Sequence, residues 1–94
     1  MSNNIVDLTV EIFQQIILEV SKEKIVLIDF WAEGYEPCKE LSPILEKIAG
    51  DYPDTLLLAR VDCEREQQVA AQFGIRNLPT VMVVKDAQPV DGFA

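Results

Sequence analysis

The chain has 94 residues, 49% hydrophobic and 26% charged, with sixteen acids against eight bases and a formal net charge of −8. That length holds one domain around one core, the excess of acid argues against a nucleic-acid or anionic-membrane partner, and no apolar run approaches the ~18 residues of a membrane span. With no histidine and two cysteines, neither a metal site nor a disulfide framework is expected, no cofactor is implied, and a reducing cytoplasm is the default compartment.

The first residues, Met1 to Asn4, are polar and expected to be mobile. MSNNIVDLTVEIF has no basic segment ahead of its apolar residues, so it does not read as a secretory signal. From Val10 to Ser21 the apolar residues Ile12, Phe13, Ile16, Ile17 and Val20 share one helical face, with Gln14, Gln15 and Glu19 opposite. Thr9 is the candidate N-cap.

Ile25 to Trp31 is short, nearly continuously apolar and rich in β-branched and aromatic residues, the pattern of a strand buried on both faces. Asp29 interrupts it. A buried carboxylate must either find a partner or keep its proton, so Asp29 either pairs at a partly wet edge or carries a raised pKa and can move protons. The loop Ala32 to Glu36 then leads into Pro37, suited to the first turn of a helix because its missing N–H has no helical partner there. Cys38 falls at that helix N-terminus, where backbone N–H groups and the dipole favour a thiolate. Leu41, Ile44, Leu45 and Ile48 form the helix's apolar face, which closes near Gly50 with Pro43 in its interior.

Tyr52-Pro53-Asp54 is turn chemistry. Leu56 to Val61 reads as a second buried strand and ends in Asp62-Cys63-Glu64. A polar-faced helix with Val69, Ala70 and Phe73 inward stops at Gly74. Ile75 to Thr80 leads into the strand Val81 to Val84, and Asp86-Ala87-Gln88 connects it to a last strand from Pro89 to Ala94. Alternating strands and helices predict an α/β fold with parallel pairing early and a hairpin late.

Trp31-Ala32-Glu33 followed by Pro37-Cys38-Lys39 resembles the thioredoxin active-site segment. Gly34 stands where that family has a Trp, and Tyr35 where it has the attacking first Cys. Pro43 matches a family proline, and Gly74-Ile75-Arg76 with Pro79-Thr80 resembles the family's cis-proline loop. The resemblance, over about Ile5 to Ala94, implies the thioredoxin-like fold, a central mixed sheet flanked by helices. It also implies a cis Leu78–Pro79 bond with Pro79 facing Cys38, an Asp29 that accepts the proton of Cys38, and Arg60 beside Asp29 where the family has a Lys. The family's final helix has no counterpart before Ala94, so the face beside the second helix is expected to be filled by another chain or a swapped segment, giving a possible dimer.

The runs Val61 to Gln67, Ala70 to Arg76, Pro79-Thr80-Val81 and Gln88 to Phe93 resemble the N-terminal domain of the chaperedoxins, in which a thioredoxin-like domain precedes tetratricopeptide repeats. That resemblance implies a holdase for unfolded or oxidised client proteins, handing them to the chaperonin or the Hsp70 system. Trp31, Tyr35, Pro37, Leu78 and Pro79 would then form the client-binding platform, and Cys38, Cys63 and Asp29 the redox and proton-carrying groups. The alternative is a single-thiol or rebuilt-pair thiol-disulfide oxidoreductase, using Cys38 alone or with Cys63. Read from position alone, Cys38 is either a reactive thiol or an inert buried one, and Cys63 either an accessible contact at a strand end or a packed small hydrophobe. Neighbouring strand ends need not meet the Cα spacing of a disulfide, so two free thiols are expected.

Overall fold

A computed structural model describes residues 4–93. Strand β1 (Ile5–Asp7) is followed by a π-helical stretch (Gln15–Val20) that runs into a single turn, α1 (Ser21–Glu23). Then come β2 (Ile25–Trp31), α2 (Glu36–Asp51), β3 (Leu56–Asp62), α3 (Gln67–Gln72), β4 (Thr80–Lys85) and β5 (Gln88–Phe93). The strands form one mixed sheet in the order β1-β3-β2-β4-β5, with β1 and β2 parallel to β3 and the last two pairings antiparallel.

Strand alternation divides the core in two. Val26, Ile28 and Phe30 of β2 point with Leu57, Ala59 and Val61 of β3 into a cluster closed by Ile16, Val69 and Phe73. Phe73 packs its ring against Phe13 and Phe30, with centroids 5.7 and 5.4 Å apart. The opposite face carries Leu58 and Val81, which pack with Leu45 and Ala49 of α2. Asp29 lies on this second face.

Three features depart from the sequence reading. Met1 to Asn3 lie outside the described residues, but Asn4, expected to be mobile, is buried and donates from Nδ2 to Ala49 O (2.7 Å) and Leu56 O (2.9 Å), tying the end of α2 to the start of β3. β1 was not anticipated, because three residues are too few to show an alternation. The first helix presents the expected apolar residues to the core, yet it is π-wound for six residues, with Ser21 N–H reaching Ile16 O five positions back. Thr9 supplies its carbonyl to Ile12 N–H (3.3 Å) instead of capping the helix, which begins at residue 13.

The hairpin between β4 and β5 turns through Asp86 and Ala87, both left-handed at φ 54° and 64°, as a type I′ connection requires. Ser21 anchors it: its carbonyl accepts from Asp86 N–H (2.8 Å), and its Oγ accepts from Ala87 N–H (2.8 Å) while donating to Ile17 O. Lys85 Nζ adds bonds to the carbonyls of Ser21 (3.3 Å) and Lys22 (3.0 Å), where a helix end presents unpaired acceptors.

Candidate functional site

The ends of β2 and β3 bring the chemistry together. Because the strands are parallel and in register from Ile25↔Leu56 to Trp31↔Asp62, their carboxyl ends emerge at one edge, where Cys63 N–H donates to Trp31 O at 2.9 Å. Beyond β2 the chain turns through Gly34, whose φ of +90° suits glycine. Tyr35 N–H closes the turn on Ala32 O at 3.4 Å, and Tyr35 O then accepts from Cys38 N–H (3.1 Å) and Lys39 N–H (3.3 Å), making Tyr35 the N-cap of α2. Pro37 sits in the first turn and is exposed, whereas Cys38 is buried at 3% exposure.

Cys63 is half-buried, its thiol 3.9 Å from Val61 O, and both cysteines are free thiols. Burial pushes the Cys63 thiol up to about 11, and the negative charge of Asp62, Cys38 and Asp29 around it acts in the same direction. Cys63 opens on a cleft of about 470 Å3 that is also lined by Tyr35, Gln67, Ile75, Arg76 and Leu78. The Leu78–Pro79 bond at the cleft's loop is cis, and Thr80 Oγ1 donates to Asn77 O (2.6 Å) across that turn.

Asp29 is 1% exposed, and burial raises its pKa. Arg60, its register partner on β3, works against that rise, with Nε 3.6 Å from Asp29 Oδ2. The Arg60 guanidinium also lies 4.8 Å over the Trp31 ring, an electrostatically favourable arrangement. Ser42 of α2 completes the group at 3.3 Å from Asp29 Oδ2 and 3.3 Å from Arg60 Nη2.

The expected platform therefore divides. Tyr35 and Leu78 share the Cys63 cleft, while Trp31 turns away from it and lines a second cleft of about 330 Å3 with Arg60, Asp62 and Arg65. Strand alternation is the reason: Trp31 lies two residues from Asp29, on the Asp29 face. Pro79 is half-buried beside the cleft residue Leu78. Sequence reasoning did not find Ser42, Gln67 or Arg76 at these places; for Ser42, its position one helical turn after Cys38 was the available signal. Among the described residues no group of three or more Cys, Asp or Glu is placed to hold a metal ion, and no helix is long and apolar enough to cross a membrane.

The thioredoxin family model matches residues 4–94, nearly the whole chain. The chain belongs to the thioredoxin family. It is 42% identical over 90 residues to a thioredoxin of Buchnera aphidicola subsp. Baizongia pistaciae, covering 96% of this chain and 81% of that protein. It is 36% identical over 91 residues to thioredoxin 2 of Chlorobaculum tepidum, covering 97% and 82% respectively. A putative thioredoxin 2 of Streptomyces coelicolor is 44% identical over 81 residues, 86% of this chain and 58% of its own length.

Proposed function

We propose that this thioredoxin-family domain exchanges thiols and disulfides with protein substrates one thiol at a time, through Cys63. The observation that carries this reading is the placement of Cys63: a half-buried thiol on a cleft that Tyr35, the N-cap of α2, also lines, while Cys38 is buried within α2. In the first step the Cys63 thiolate attacks one sulfur of a substrate disulfide. The S–S bond breaks, the departing thiolate takes up a proton, and a mixed disulfide remains on Cys63. A second thiol, Cys38 or a small cellular thiol, then attacks as its thiolate at the Cys63 sulfur: the mixed disulfide breaks, a disulfide forms between Cys63 and that thiol, and the substrate leaves as a thiolate that takes up a proton. The two electrons that reduce the substrate disulfide come from these two thiols.

With a pKa of about 11, Cys63 is thiolate in only roughly one molecule in 10⁴ at pH 7. Exchange is accordingly slow at neutral pH and accelerates in base. The same high pKa makes Cys63 a poor leaving group, so a mixed disulfide through it persists unless the Cys63 sulfur itself is attacked. That persistence favours a second reading, a holdase in which Tyr35, Ile75 and Leu78 bind apolar segments of oxidatively damaged clients and Cys63 retains them for the chaperonin or the Hsp70 system.

The test is disulfide reduction followed with and without an added thiol reductant, on the wild type and on Tyr35→Cys. The wild type forms a mixed disulfide but turns over only with the reductant present, and Tyr35→Cys is faster by roughly tenfold or more because it restores an attacking thiol. A wild type that forms no mixed disulfide up to pH 11 overturns the exchange reading. Protection of a heat-unfolded client from aggregation, lost on Tyr35→Ser, separates the holdase reading.

A further inference from the structure

We infer that Ser42 is a positioning residue for Asp29: with Arg60 it occupies Oδ2 and leaves Oδ1 as the oxygen on which the buried acid carries its proton. The assignment follows from donor counting. The Arg60 guanidinium can only donate, so at 3.3 Å from Arg60 Nη2 the Ser42 oxygen is the acceptor. Its single proton is then directed at Asp29 Oδ2, also at 3.3 Å. Oδ2 thus accepts the hydroxyl proton and is ion-paired with Arg60, whose Nε lies 3.6 Å away without a hydrogen bond of its own. A further proton on Oδ2 would oppose the Ser42 hydroxyl proton and the Arg60 charge. Asp29 Oδ1, by contrast, is buried without a hydrogen-bond partner, so the acid form places its proton there.

A serine inside a helix ordinarily turns its hydroxyl back to the carbonyl four residues earlier. Ser42 instead reaches out of α2 to β2 and β3, while Cys38, four residues earlier, occupies the same helical face. The hydroxyl therefore ties the Cys38 helix to the strand pair that carries Asp29 and Arg60. Other charges bear on Asp29 as well: Glu46 of α2 raises its pKa, Asp29 and Cys63 interact beyond the end of β3, and β4 presents the uncharged Val81 opposite it. Ser42 and Arg60 are the groups that stabilise the ionised form against burial.

The link from this acid to thiol chemistry rests on the exchange reading above, so the decisive readouts are taken on Asp29 itself. Carbon-detected NMR titration of the Asp29 carboxyl is compared in the wild type, Ser42→Ala and Ser42→Thr. Ser42→Ala removes the hydroxyl and moves the midpoint to higher pH, whereas Ser42→Thr keeps the hydroxyl and holds it near the wild-type value. An unchanged midpoint in a folded Ser42→Ala overturns the inference. Infrared spectroscopy of the wild type needs no variant: with the proton on Oδ1, the remaining C=O is Oδ2, which accepts hydrogen bonds, and its stretch falls in the hydrogen-bonded range. A stretch at the free-carbonyl frequency overturns the assignment even if Ser42→Ala does not fold. If thiol exchange proves absent while the Ser42→Ala midpoint moves, the exchange reading fails and the role of Ser42 stands.

Discussion

Asp29 Oδ2 lies 3.6 Å from Arg60 Nε, across a register pair of β2 and β3, with the carboxylate 1% exposed and the guanidinium 23% exposed. The pairing is incomplete, since burial still outweighs it and Asp29 remains raised above 3.8. The folded protein consequently holds this proton more tightly than the unfolded chain does. Stability from this group is full below the unfolded pKa and is lost as pH rises through the folded one. Asp29→Asn, which cannot ionise, raises the thermal midpoint at pH 7 and above by on the order of a few degrees, and the gain vanishes toward pH 4. A midpoint that falls equally at all pH values contradicts the buried-charge account.

Ser21 is fully buried, and its Oγ accepts the Ala87 N–H of the hairpin turn. Ser21→Ala leaves that N–H without its acceptor, at a cost of about 1–3 kcal/mol. Urea denaturation checks this, with a lower midpoint and an unchanged slope expected.

Gly34 adopts φ +90° with nothing within 4 Å of an added Cβ, so substitution there is a matter of backbone conformation alone. Gly34→Ala costs about 1 kcal/mol and a β-branched residue more. Thermal unfolding of Gly34→Ala and Gly34→Val measures the difference.

Much of this arrangement is visible in the residues. The apolar run through Phe30 marks β2 and Pro37 places the start of α2, while Arg60 beside Asp29 comes from the thioredoxin resemblance. The rest depends on information that a linear reading lacks. Ile5 to Asp7 becomes a strand only because β3 offers an edge, with Leu58 N–H donating to Asn4 O at 2.8 Å and Leu8 N–H to Arg60 O at 2.8 Å. The π-winding from Gln15 to Val20 still leaves Ile16, Ile17 and Val20 packed on the core, so the apolar pattern alone could not reveal it. The resemblance puts Trp31 on one platform with Tyr35, whereas the alternation of β2 sends it to Arg60. Ser42 has no motif of its own, and its part emerges only where α2 crosses the Asp29–Arg60 pair.

The two thiols differ in environment, Cys38 at 3% exposure and Cys63 half-buried on the cleft. Alkylation of Cys63 rises about tenfold for each pH unit from 7 until it levels near 11. Peptide mapping after timed labelling separates the two sites. A Cys63 rate already level at pH 8 contradicts the account of its surroundings.

In the proposed exchange, Cys63 is the sulfur that meets the substrate. Intact-mass and peptide analysis of the protein after incubation at pH 9 with an oxidised, unfolded polypeptide tests it most directly. One mixed disulfide per chain is expected, mapped to Cys63, absent from Cys63→Ser and retained in Cys38→Ser. An adduct that maps to Cys38 and survives Cys63→Ser would contradict it.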